Sequence, residues 1–435
     1  MNLFIVIMRF FIGMFVAMWN GMMNIINRLI EGHNKRVIEE NNRISRGVIE
    51  DKSISSVQAF DDGCTRNSLI SGSEEFIRAE LVTEAVKYAD TLRKPVIIIH
   101  ESNSQLESYI YNSLGNTTTI INSANPCYDP FRELSDEEII KIILESSKIG
   151  YGVKDSARYC IRGIIRCLRA AGREPTLRSL ATCPYRDLYG KVDSLVSKGK
   201  LSHEAGEGIK SDLMKGQDEY AKLESFFTDL LFQSESIVAS NINRNAYNVI
   251  KAVNERKILV IDIGSSLNTL LLDVLINSIK LIMNRSYLTL VLDGITIDTS
   301  HENLKRFVCA NYKKCAVTYS TSDLYAATCG DEKLFYTIIG NSEKNIIMQH
   351  QSAVSADKWS KAIGYYDKTE SSYTYSKGKT KGGISLFPSY SVNEATNYTM
   401  KREEIVKTDQ IQRMQNNEVY IFDRSQNQLL HTYLL

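Results

Sequence analysis

The stretch Leu288–Asp293 is an apolar run that ends in an acid. A buried strand closed by a carboxylate is one way to hold the Mg2+ of a bound nucleotide, because the strand fixes the acid at the sheet edge where phosphates bind. Many buried strands end in aspartate, so the pattern alone does not decide the chemistry. A second pattern is a column of arginines, Arg158, Arg162, Arg166, Arg169 and Arg173, spaced four, four, three and four apart. On one helix that spacing puts all five within an arc of about 80°. No acid on the same face offsets them, and arginine suits phosphate or carboxylate recognition better than lysine. The stripe reads as a contact surface for DNA or for an acidic partner protein, with a plain solvated face as the competing reading.

Other constellations fall away. His100-Glu101 and His301-Glu302 lack the second histidine of a zinc protease helix, and no nucleophile elbow or dinucleotide fingerprint follows a strand. The 8 cysteines are scattered without a CxxC pair, and the 6 histidines do not cluster with them, so no metal site is expected. The spread fits buried thiols kept reduced in a cytoplasmic body. His350 reads as packing. The one glycine-lysine-threonine triplet, Gly378-Lys379-Thr380, lies in a Ser- and Tyr-rich segment (373–398) that reads as an exposed loop or hairpin rather than a strand-helix junction.

These residues need a frame. A chain of 435 residues, 43% hydrophobic, exceeds what one core usually organises, and a net charge of +1 excludes a polybasic coat protein. Leu3–Trp19 is apolar except for Arg9, and six of the 11 methionines fall in the first 23 residues. The segment is close to the ~20 residues that span a bilayer, and Arg28, Lys35 and Arg36 after it keep the body in the cytoplasm, which puts the protein at the inner membrane. Residues 34–62 are polar and read as a linker or edge hairpin. Val96–Ile99, Ile258–Ile263 and Leu288–Leu292 are continuous apolar runs, predicted as strands buried on both faces, with Ala316–Tyr319 and Asn345–Met348 as further strands. Helices are predicted over Phe76–Leu92 and Asn268–Met283. Between them, Ser135 and Glu138 form a capping box at the start of a long helical stretch. The fold class is α/β: a mostly parallel sheet with an inserted all-α domain and an N-terminal membrane helix.

From Thr318 onward the chain carries Gly330–Ser342, Ile346–His350 and Ala356–Gly364, and earlier Asn125-Pro126 and Tyr128–Phe131. In these segments it resembles the conjugative DNA-transfer coupling proteins of type IV secretion, the TraG/TraD type within the FtsK–HerA motor superfamily. The likeness runs over roughly residues 67–435, with Glu404, Ile405 and Asn417–Ile421 resembling the closing strand. It implies a RecA-like P-loop sheet divided as 34–133 and 241–435, an all-α domain inserted over 134–240, a membrane-associated helix over 1–33, and hexameric assembly.

Set on that family pattern, the relict nucleotide site is Gly72, Ser73, Arg78, Asp293 and Asp323. A P-loop needs a second glycine, a lysine and a hydroxyl, and here Ile77, Arg78 and Ala79 stand in those places. Glu74 and Glu75 face where phosphate would lie. Gly294 stands where the family has a catalytic glutamate after Asp293, and Asp323 where it has a sensor glutamine. Three elements fail together, which points to a subunit without ATP turnover, structural or substrate-recruiting, with no catalytic residue assigned. ATP and Mg2+ are the cofactors only if nucleotide binding is retained. Two alternatives stand beside this: an active DNA-translocating ATP hydrolase with its phosphate loop elsewhere, and a nucleotide-binding but non-hydrolysing subunit. Its partners would be the membrane, DNA or an acidic protein, and a homo- or hetero-hexamer that includes an active paralogue.

Overall fold

Continuous runs of branched apolar residues suit strands covered on both faces, and such strands form the centre of the computed structural model. The structure describes all residues except Met1, Lys52, Asp61, 148–153, Pro184, 241–244, Asn284 and 381–388. The chain divides into two compact units, Met1–Ile49 with Trp359–Thr408, and Glu50–Lys358 with Asp409–Leu435.

In the second unit, adjacent strands run in the order Gln428–Tyr433, Glu418–Asp423, Lys344–Ile347, Ser68–Ser71, Cys315–Thr321, Leu288–Asp293, Val96–His100, Ile258–Asp262 and Thr118–Ile121. From Lys344–Ile347 to Thr118–Ile121 every pairing is parallel, and Glu418–Asp423 is antiparallel to both its neighbours. The parallel strands therefore end along one edge, where open α/β sheets place their ligands. The helix Glu75–Thr91 buries Leu81, Val82, Ala85 and Val86 against Ile70, Ile98 and Val291. Thr269–Met283 is buried along most of its length. The expected strands and both expected helices are present. Ser68–Ser71, Thr118–Ile121 and Gln428–Tyr433 carry no sequence signal of comparable strength, being short and partly polar.

Among the described residues, 136–233 contain helices and no strand. The predicted capping box is present: the Ser135 side chain accepts from Glu138 N, and Glu138 reaches back to Ser135 N. Tyr128 ties the two ends of this helical stretch together, donating to Ile237 O and accepting from Ala239 N. Next to it, Asp129 is 2% exposed and its Oδ1 accepts from Phe131 N and Leu177 N. Burial pushes Asp129 up to about 6, against the opposing pull of those two N–H groups.

In the first unit a single helix runs from Asn2 to Arg46. The linker expected from residue 34 is thus corrected: the polar stretch continues the helix. Lys35–Glu39 and Glu40–Arg43 pair along one side, as helical spacing allows. Asn42 holds the Thr369 backbone from both sides, donating to its O at 2.9 Å and accepting from its N at 2.8 Å, and Arg46 Nε donates to Ile405 O. The expected loop or hairpin is a hairpin, an antiparallel ribbon of Tyr365–Thr380 with Ser389–Glu404. The N-terminal helix holds an 18-residue window of mean hydropathy 1.5, none of it buried, long and apolar enough to cross a membrane.

Two outcomes follow. Removal of residues 1–30 should move the protein from the membrane pellet to the supernatant in fractionated cells; continued sedimentation would mean that another element holds it there. At Asp129 the raised folded-state value means the carboxylate's penalty is absent below about pH 4 and grows as pH rises through 6. Asp129→Asn keeps the accepting oxygen and removes the charge. Between pH 4 and 7.5 the variant's stability relative to the parent should therefore rise by about 2 kcal/mol, read from urea denaturation at both pH values.

Candidate nucleotide-site remnant and arginine stripe

Gly72, Ser73 and Glu74 are the three residues between the strand Ser68–Ser71 and the helix Glu75–Thr91. Ile77, Arg78 and Ala79 already lie within the first turns of that helix. A phosphate cradle needs a longer glycine-rich loop whose N–H groups point inward. Here Gly72 N donates to Thr321 O at 3.1 Å and Ser73 N to Gln349 O at 3.1 Å, so both donors are spent on the ends of neighbouring strands. Packing accounts for the glycine: a Cβ at Gly72 would lie 2.3 Å from Met348 Cβ. The turn does not fit a nucleotide phosphate.

Arg78 points back from the helix and donates to Gly72 O at 2.6 Å. It is 6% exposed, and its Nε is buried without a hydrogen-bond partner among the described residues. Burial lowers its pKa, and the charges of Asp293, Glu75 and Glu74 act in the opposite direction. The guanidinium thus stands as a fixed cation among three carboxylates, in a place where a lysine would otherwise reach for phosphate.

Asp293 is 2% exposed and accepts from Asn103 Nδ2 at 2.7 Å. Gly294 has φ 71°, a conformation that glycine adopts freely and other residues only with strain. A glutamate at 294 would have to adopt that backbone. Asp323 is reached by three donors. Its Oδ1 accepts from Tyr325 N and Ala326 N, and its Oδ2 from Ser355 Oγ at 2.6 Å. It caps the short helix Leu324–Ala327.

Two polar groupings at this edge bring His350 and His100 to partners that the sequence did not point to. Ser71 Oγ lies 2.9 Å from His350 Nε2 and accepts from Leu324 N, while His350 Nδ1 is 2.8 Å from Met348 O. Burial lowers the His350 pKa, so the ring is neutral, donating from Nδ1 and accepting at Nε2. Ser71 is fully buried, so this serine-histidine pair is packing, as expected of His350. The second grouping runs through His100, Asn103, Glu107 and Asn122. Asn103 N donates to His100 Nδ1, His100 Nε2 lies 3.3 Å from Glu107 Oε1, and Asn122 Nδ2 donates to Glu107 Oε2. The register sets His100 beside both Asp262 and Asp293, so polar residues end three adjacent strands.

The arginine stripe departs from expectation. Acids from neighbouring helices offset it, where the helix's own face offers none. Arg162 is bidentate to Asp212 at 2.8 and 2.5 Å, and Arg166 reaches the same carboxylate at 3.4 Å. Arg158 pairs with Glu137 at 3.0 Å, and Arg169 with Asp136 at 2.8 Å. Arg173 lies beyond the helix Lys154–Ala170. Four of the five therefore stitch helices together.

Asp212 keeps only 6% of its side chain exposed, so losing its bidentate partner should cost more than losing an exposed pair. Arg162→Ala should destabilise the protein by about 1–3 kcal/mol, and Arg158→Ala by under about 0.5 kcal/mol, measured by urea denaturation.

No family model matches the chain, and no curated relative does. Solved structures do. The plasmid coupling protein TrwB in complex with the non-hydrolysable GTP analogue GDPNP has a TM-score of 0.51 and 13% identity, over 90% of this chain and 92% of that one. The same protein with the ATP analogue ADPNP gives a TM-score of 0.51 at 13% identity, again over 90% and 92%. The mostly parallel sheet, the helical stretch between its strands and the match along nine-tenths of its length give this chain the fold of the plasmid coupling protein TrwB.

Proposed function

We propose that this protein is a membrane-anchored, coupling-protein-like subunit of a conjugation or type IV secretion system that does not turn over ATP and serves as a structural or recruiting component. The observation that carries this reading is the closed turn at Gly72–Glu74, whose Gly72 and Ser73 N–H groups are bonded to Thr321 and Gln349 carbonyls while Arg78 fills the space behind it. Motors of this class work by surrounding a γ-phosphate with donors and Mg2+, and here two donors of the turn, Gly72 N and Ser73 N, are already engaged. We assign residues 134–240 to an inserted helical domain and the sheet to a RecA-like domain. The anchoring helix continues to Arg46 rather than ending at 33. Resemblance to the coupling-protein family implies a hexamer, either of this chain alone or mixed with an active paralogue, with the body facing the cytoplasm.

A second reading, nucleotide binding without turnover, draws on Arg78, whose Nε has no partner among the described residues and would accept an anion. The two separate by experiment. The full chain in detergent should give no Mg2+-dependent ATP hydrolysis above background and no thermal shift with Mg-ADP. Hydrolysis of a few per second that disappears in Asp293→Ala refutes the first reading, and a saturable thermal shift lost in Arg78→Ala establishes the second.

A further inference from the structure

The helical stretch contains a cavity of about 270 Å3 that the nucleotide question leaves untouched. Leu168 and Leu195 lie in its wall, and Arg173, Lys191, Lys198 and Lys200 surround it. None of the lining residues carries a carboxylate. None of these four cations has an ion pair among the described residues, in contrast to the stitched stripe on the helix before them. Of the acids close to them in sequence, Asp193 is held by Lys210 at 2.5 Å, and Glu174, next to Arg173, is exposed and does not line the cavity.

Lys198 and Lys200 stand at the C-terminus of Leu188–Ser197, where cations complement the helix dipole. Lys191 has no such reason: it sits inside the helix, half-buried, and its charge acts on the buried thiols of Cys167 and Cys183. Lys191, Leu195 and Lys198 fall on one helical face at spacings of four and three, so the helix presents cations on either side of an apolar residue. Such a site repels itself until an anion arrives.

We propose that this cavity is the docking site of an acidic peptide segment that inserts one apolar side chain between flanking carboxylates. At about 270 Å3 the cavity lies under the roughly 300–1,000 Å3 of small-molecule sites, and suits a single anchoring side chain better than a nucleotide. Duplex DNA would meet the four cations with its phosphates and leave the cavity between them unfilled. The inference rests on the recruiting role proposed above for the identity of the partner, and it is independent of whether ATP is bound.

The test is fluorescence anisotropy with the full chain in a neutral detergent. The probe is a fluorescein-labelled decapeptide of alternating glutamate and leucine, with controls that replace glutamate by glutamine or leucine by serine. Saturable binding is expected, at least tenfold weaker for each control peptide. It should also fall at least tenfold in Lys198→Glu/Lys200→Glu, which changes only exposed residues, and in Ala171→Trp, which fills the cavity, both with unchanged far-ultraviolet circular dichroism. No saturable binding, binding indifferent to Ala171→Trp, or displacement of the probe by duplex DNA at equal charge would overturn the proposal. Detection of ATP turnover would refute the subunit's inactivity and leave this result standing.

Discussion

The fold turns on how the strand Ser68–Ser71 is joined to the helix that follows it. In a parallel sheet the strand ends converge on one edge, and whatever loops leave that edge decide whether it binds a ligand. Here the loop is three residues long, and the backbone donors at Gly72 and Ser73 close onto the carbonyls of Thr321 and Gln349. Those bonds knit together the three strands around the loop, and they use the groups that a phosphate would need. In this chain those two donors hold the sheet edge together.

The same logic extends along the edge. Asp293 accepts from Asn103, whose own Oδ1 caps the helix Ser104–Leu114. Asp262 Oδ1 accepts from Ser102 N and Gly264 N. Asp323 caps one helix and binds Ser355 on another. Each acid at a strand end thus has protein donors within hydrogen-bond distance, which meets the demand that a buried carboxylate find partners. Arg78 adds the balancing cation. Mg2+ at Asp293 would have to share the carboxylate with Asn103 and coexist with the guanidinium, whose charge opposes it.

What the sequence made legible was decided by local pattern. Val96–Ile99, Ile258–Ile263 and Leu288–Leu292 announce themselves because a fully buried parallel strand needs apolar residues without alternation. The capping box at Ser135 and Glu138 is a pattern of two residues three apart, and it formed as read. Ser68–Ser71 could not be recognised by composition, since its strand character comes from neighbours more than 240 residues away in sequence. The helix from residue 34 to Arg46 is mostly polar, with Val37, Ile38 and Ile44 its apolar residues, and part of what holds it is the Thr369 and Ile405 backbone. The arginine stripe was legible in the sequence but its acid partners were not: Glu137 and Asp136 lie on the preceding helix and Asp212 on a later one, so no reading of a single helical face could find them. Asp323 was read in the place of a sensor glutamine, and its role as a cap required the fold.

The mismatch between this turn and a phosphate loop is therefore one of architecture as well as of side chains. Exchanging Ile77, Arg78 and Ala79 for glycine, lysine and threonine would put the right chemistry inside a helix that has already begun, with its lysine emerging from a turn too short to encircle an oxyanion. A glutamate at 294 would meet a left-handed backbone that costs about 1 kcal/mol for a residue with a Cβ. Replacing Asp323 would unsettle Leu324–Ala327 and free Ser355. Each reversal breaks a contact that now holds the sheet edge, and only a longer loop after Ser71 would release the donors together. A strand edge whose polar residues each have a structural partner is hard to convert into a phosphate site by single substitutions.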